Sequence, residues 1–120
     1  EVLTDACWFL SYVCDQDDCI SYATASGCCR HLVSIVRNME ARAASPALRA
    51  LGSIATGTTE ETQEVVDAGV FAVLPALLAS SVDNTVKEAL WLISNIAAGP
   101  VSQVQTVLDS GLLPVVYDFA

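Results

Sequence analysis

Basic residues are scarce in this chain. Its 120 residues include five Lys and Arg against 14 Asp and Glu, for a formal net charge of −9. Such a surface has no basic stripe for a nucleic-acid backbone or an anionic membrane, so neither is expected as a partner. The charge suits a basic partner, or serves solubility alone. Histidine is scarcer still. His31 stands alone on a stretch with Leu32, Val33 and Ile35, with no nucleophile at a recognisable spacing. No nucleophile elbow, phosphate-binding loop or metal quartet occurs. Enzymatic chemistry is therefore not expected, and no cofactor. The one alternative is a thiol of lowered pKa at vicinal Cys28 and Cys29, beside Arg30 and His31.

Long apolar runs are also missing, although 53% of the residues are hydrophobic and the mean hydropathy is +0.51. The charge-free stretch from Ala68 to Val82 is broken by Pro75. It falls short of the ~20 apolar residues that a membrane helix needs. No basic, apolar, small-residue signal opens the chain, so the apolar residues are expected to pack inside. Strict alternation of apolar and polar residues is absent throughout, which excludes half-buried strands. The five cysteines, Cys7, Cys14, Cys19, Cys28 and Cys29, are odd in number and point to a reducing compartment. Cys19, Cys28, Cys29 and His31 could be weighed as a metal site, but they lack the paired spacing of zinc ligands. Packing as small apolar residues is the better reading, with Cys7 and Cys14 one above the other on a core face.

What the chain does have is internal repetition. Asp5-Ala-Cys-Trp-Phe-Leu-Ser-Tyr12, Pro46-Ala-Leu-Arg-Ala-Leu-Gly-Ser53 and Glu88-Ala-Leu-Trp-Leu-Ile-Ser-Asn95 echo one another. Their anchors Trp8, Arg49 and Trp91 lie 41 and 42 residues apart, and Gly27, Gly69 and Gly111 are spaced 42 and 42. A period of about 42 residues fits units of two or three helices. Gly57 and Gly99 close long apolar-periodic segments. Short helices are predicted over 60–67 and 102–109, medium ones over 28–38 and 70–79, and long ones near 2–14, 44–56 and 84–98. The sequence starts inside a long third helix and ends after a second one, as a piece of a longer array would.

Advancing about 100° per residue, the last long helix gathers Val86, Ala89, Leu90, Ile93, Ile96 and Ala97 on one apolar face. Trp91 and Asn95 lie opposite, near Lys87 and Glu88. In the first long helix Leu3, Ala6, Cys7, Leu10, Val13 and Cys14 form the core face, against a stripe of Glu1, Asp5, Trp8, Tyr12 and Asp15. In the middle one Ala47, Leu48, Leu51, Ile54 and Ala55 point inward, and Arg42, Arg49, Ser53 and Thr56 outward. Tryptophans on polar faces, at one rotational position in successive equivalent helices, mark a binding surface. Trp and Asn four residues apart share a face. The amide can grip an extended peptide backbone from both sides, while the indole makes a slot for Lys or Arg stems with cation–π attraction at the head.

These stretches, with Ser45-Pro-Ala-Leu-Arg49, Thr56-Gly-Thr and Ser94-Asn95-Ile-Ala-Ala-Gly99, resemble the middle repeats of the importin-α family. The repeated Trp-x₃-Asn is the specific part, since generic armadillo repeats share only the apolar positions and glycines. The resemblance implies an all-α armadillo-repeat fold, a right-handed superhelical solenoid of about three repeats. Residues 1–16 would be the third helix of one repeat, 17–57 and 58–99 full repeats, and 100–120 the first two helices of the next. It implies third helices that line a concave groove for basic nuclear localisation signals, and shuttling between cytoplasm and nucleus. Importin-β and the export receptor would be engaged only by parts of the full-length protein absent here. By the same resemblance Trp91, Asn95, Ser94, Thr56 and Thr62 belong to the smaller signal site. Glu1, Asp5 and Trp8 fall at the edge of the larger one, with Tyr12 a family-typical replacement for Asn. Arg49 and Ser53 replace Trp and Asn between them, and Arg49 is expected to repel a basic ligand. Thr59 stands where the family has an acidic residue. The alternatives are an armadillo scaffold for another protein partner, or a diverged segment that has lost signal binding.

Overall fold

A computed structural model of the chain describes residues 2–16, 20–21, 24–38 and 41–119. The helices are α1 (Val2–Cys14), α2 (Cys28–Arg37), α3 (Ala41–Ile54), α4 (Thr59–Asp67), α5 (Val70–Leu78), α6 (Asp83–Ala97), α7 (Val101–Asp109) and α8 (Leu113–Tyr117). Helical backbone is also present at 20–21 and 24–25, and no strand occurs among the described residues. Gly27, Gly69 and Gly111 all have positive φ, at 78°, 92° and 75°. This left-handed turn strains any residue with a Cβ, and it redirects the chain into α2, α5 and α8. The glycine spacing is thus a backbone requirement repeated three times.

The long helices lie side by side, α1 on α3 and α3 on α6. Beneath them α2 packs on α3, and α5 on α6. Leu32, Val33 and Val36 of α2, Leu48, Leu51 and Ile54 of α3, Leu74 and Leu77 of α5, and Leu92 and Ile96 of α6 belong to one continuous core. Each fully buried Leu or Ile side chain contributes about 1.5–3 kcal/mol, so the layer of medium and long helices carries the stability. Cys7 and Cys14, two turns apart on α1, are buried in it, as are Cys28 and Cys29; Cys19 lies outside the described residues. A hydrogen bond with Cys29 pulls the Cys28 thiol down to about 7, while the same bond and burial push Cys29 up. Arg30 and His31 are exposed and are not among the causes.

Several face assignments need correction. Ala47, Leu48, Leu51, Ile54 and Ala55 are buried as expected, but Ala6 and Ala97 are exposed. Ser11, Thr85 and Leu92 take buried positions instead, and Val86 and Leu90 are only half-buried. Ser53, expected to point outward, is also buried. Ser53 is covered where α3 meets the end of α1, its hydroxyl bonded to Asp15, so the buried positions are not the single face a helical wheel marks out.

Helices α4 and α7 start in the same backbone conformation but with different chemistry. At α4 the Thr58 amide donates to Glu61 Oε1 at 2.8 Å, and the Glu61 amide donates to Thr58 Oγ1 at 3.2 Å. This reciprocal cap satisfies two amides that have no helical acceptor. At α7, Pro100 holds the cap position with φ −67° and ψ 166°, against −70° and 165° for Thr58. Gln103 stands three residues on. Its Nε2 donates to Thr59 O at 3.1 Å and Gln63 Oε1 at 3.3 Å, which ties α7 to α4. Its Oε1 is buried without a donor among the described residues, because proline has no N–H to offer. Pro100→Thr restores the missing donor and adds a capping hydroxyl, worth about 1 kcal/mol for the cap and 1–3 kcal/mol for the buried acceptor. Against that stands the ~0.4–1 kcal/mol that proline contributes by restricting the unfolded chain. The variant is therefore expected to be more stable by about 1–3 kcal/mol in urea denaturation. A destabilised Pro100→Thr would refute the vacant-cap account.

Candidate functional site

Trp8 and Trp91 occupy equivalent places on α1 and α6, and each is 38% exposed. Trp8 stacks on Tyr12, with ring centroids 6.0 Å apart. Trp91 lies over the backbone of α3. A Cβ added at Gly52 would sit 2.6 Å from its Cε3 and 2.7 Å from its Cζ3, so only glycine lets the indole approach this closely. One turn along, Asn95 Nδ2 donates to the Gly52 carbonyl at 3.0 Å. That carbonyl belongs to the last turn of α3, where the Thr56 amide bonds to Ser53 O instead. Asn95 thus satisfies one of the terminal carbonyls that a helix leaves without a partner. Its Oδ1 and second N–H make no bond to the described residues.

Two recesses flank this pair. One of about 440 Å³ is lined by Arg49, Lys87, Glu88 and Trp91. Another of about 340 Å³ has Thr56, Thr62, Asn95 and Gln103 in its wall. Thr62 is buried and its hydroxyl donates to Ala55 O at 3.1 Å, so it supports the end of α3. Exposed Thr56 and Ser94 donate to the carbonyls three residues before them, Ser53 O at 2.5 Å and Trp91 O at 2.7 Å. Exposed Asp5 lies on α1, and Glu1 falls outside the described residues.

Arg49 departs most from its sequence reading. Its Nη2 stands 3.6 Å from Asp15 Oδ2, and its Nη1 4.0 Å from Glu88 Oε1. The repelling charge foreseen at this position is thus compensated by carboxylates on both sides. Ser53 donates to Asp15 Oδ1 at 2.6 Å, which explains its burial and holds Asp15 in place. At 44% side-chain exposure for Arg49, such pairs contribute only ~0–1 kcal/mol to stability. Their effect is on the local potential.

Importin subunit alpha-2 of Caenorhabditis elegans is 44% identical over 95 residues, which cover 78% of this chain and 18% of that protein. Importin subunit alpha-1a of Oryza sativa subsp. japonica is 40% identical over 95 residues, with the same coverage. A family model described as Armadillo/beta-catenin-like repeat matches residues 58–98. The chain belongs to the importin-α armadillo-repeat family. It spans about 18% of the length of these relatives. Among solved structures, a designed armadillo repeat protein in complex with peptide (KR)4 is 27% identical with a TM-score of 0.92, covering 98% of this chain and 49% of that one.

Within this importin-α armadillo segment, sequence reasoning missed Gly52, Glu88 and Gln103 as parts of the site. Gly52 carried a signal, because a glycine inside an Ala- and Leu-rich helix asks for a packing reason. In an exposed helix interior, Gly→Ala gains ~0.5–1 kcal/mol. Here the sign reverses, because an added methyl must displace the indole at an overpacking cost of ~1–3 kcal/mol. In a Trp8→Phe background, Gly52→Ala is expected to lower stability by about 1 kcal/mol and red-shift the Trp91 emission. A stabilised variant with unchanged emission would show that Trp91 does not rest on Gly52.

Proposed function

We propose that the chain is part of a nuclear-import adaptor and holds basic localisation-signal peptides in extended form along the face of Trp8, Arg49 and Trp91. The observation that carries this reading is the Trp91/Asn95 pair. A half-exposed indole borders a recess that contains a carboxylate, and one turn away a half-buried amide keeps an acceptor and a donor for a peptide backbone. Relatives named as importin alpha subunits support it, as does the likeness to an armadillo protein in complex with a Lys-Arg peptide. Trp8, Tyr12 and Asp5 extend the face on α1, and Ser94, Thr56 and Thr62 frame the recesses beside Asn95. Arg49 and Ser53 interrupt the row on α3. The full-length protein would engage importin-β and an export receptor through other regions, and would shuttle between cytoplasm and nucleus.

One Trp/Asn pair supports only weak binding. A cation–π contact contributes ~0.5–2 kcal/mol and each peptide hydrogen bond ~1 kcal/mol, against several kcal/mol of association cost. A dissociation constant of about 100 μM or weaker is expected for a labelled (Lys-Arg)4 peptide at low salt. Trp91→Ala should weaken it at least ~10-fold with a retained cooperative melt. Asn95→Ala should weaken it and also destabilise the α3–α6 contact by ~1–3 kcal/mol, since Gly52 O loses its donor. Unchanged anisotropy titration of a folded Trp91→Ala protein would place peptide binding elsewhere.

A further inference from the structure

We propose that the chain carries two complementary faces for a second copy of itself, and that copies join head to tail. The uncovered flank of α1 on one copy docks against α6 and α8 of the next.

The repeat supplies an internal reference for what each helix buries. Trp8 and Trp91 stand 83 positions apart, and on that register Val2, Ala6, Phe9 and Val13 of α1 match Thr85, Ala89, Leu92 and Ile96 of α6. On α6, which packs on α3 and α5, all four are buried. On α1 their counterparts are open. Val2 is 86% exposed against 4% for Thr85, and Phe9 65% against 0% for Leu92. Ala6 is exposed and Val13 half-buried. All four are apolar, and spaced four, three and four residues apart they form one stripe along the helix.

The other end of the molecule shows the converse. Cys7, Ser11 and Cys14 are buried on α1, which packs on α3. Their counterparts Leu90, Ser94 and Ala97 on α6 are half-buried or exposed. No long helix lies beyond α6 among the described residues. Beside α6, α8 follows α5 on the glycine register of 42 positions. Val73, Leu74 and Leu77 of α5 are buried, whereas the equivalent Val115, Val116 and Phe119 are not, and Phe119 is 48% exposed against 0% for Leu77. One end thus lacks a long helix, and the other end is a long helix whose stripe lacks cover. With 13 residues against 14 and 15 for α3 and α6, α1 has the length, the register and the apolar stripe of the missing helix. Because the two faces differ, the contact is heterologous and extends from copy to copy instead of closing on a pair. Each copy carries a net charge of −9, so repulsion opposes the contact and apolar burial drives it. Added salt therefore strengthens it, opposite to its effect on a bound basic peptide.

The test is sedimentation velocity of the chain, with thermal melts as folding controls. The weight-average sedimentation coefficient is expected to rise continuously between about 10 μM and 1 mM, and to rise further with added salt. Phe9→Glu spoils the α1 stripe and Phe119→Glu the receiving face, so each alone should weaken association at least ~10-fold. Mixed in equal amounts they should form a pair and stop there, since each keeps the face that the other lost. Val2→Glu, at a still more exposed position, takes the place of Phe9→Glu should that variant lose its cooperative melt. If the parent stays monomeric across the whole range at high salt, the two faces serve further helical units of a longer chain and the proposal fails. If Phe119→Glu associates as the parent does, or the mixture does not pair, the head-to-tail contact is wrong.

Discussion

The carbonyl of Gly52 lies in the last turn of α3, beyond the reach of a helical donor, and the next long helix supplies one through Asn95. The same glycine gives Trp91 a surface flat enough to lie on. Together these contacts set how closely α6 approaches α3, and so where the recesses on either side open. A terminal carbonyl left without a partner costs about 1–3 kcal/mol when buried, and an indole lifted by a methyl costs a similar amount. The Trp-x₃-Asn pattern is therefore a device for joining helices before it is a device for holding a ligand. Trp91 and Asn95 are held in place by groups of the fold itself, and the part of each that remains exposed is correspondingly preorganised.

On α1 and α3 the contact is built differently. Ser53 holds the position of Asn95, and its short hydroxyl reaches Asp15 at the end of α1 instead of a backbone carbonyl. That hydroxyl holds one carboxylate oxygen of Asp15, and the other faces Arg49. A serine and an arginine that read as losses of binding function thus form one network with Asp15 and Glu88. Charge that would have been exposed is balanced within the face, across three successive long helices.

The repeat was the most legible feature of the sequence, because its glycine spacing follows from a left-handed turn that no other residue adopts cheaply. The outward direction of both tryptophans was equally legible, since indoles at one rotational position on polar faces leave few alternatives. Ser53 was misassigned because a wheel marks one buried stripe, while α3 is covered by α2 and also by α1 and α6; Ala6 and Ala97, placed on the core face by the wheel, are exposed. The pairing of Arg49 with Asp15 and Glu88 could not be read at all. It joins residues 34 and 39 positions apart, across helices whose lateral offset no pattern in the sequence records. Gln103 was hidden because Pro100, three residues before it, has neither a capping hydroxyl nor an N–H to complete a capping box.

The central claim is that the face carrying Trp91 and Asn95 receives basic peptides. Its most direct test is a two-dimensional NMR titration of the isotopically labelled chain with (Lys-Arg)4. The account predicts shifts in the Trp91 indole N–H, the Asn95 side-chain amide and the backbone amides of Gly52 and Thr56, diminishing with added salt. Shifts confined to α2, α4 or α7, or of equal size with an acidic peptide, would contradict it.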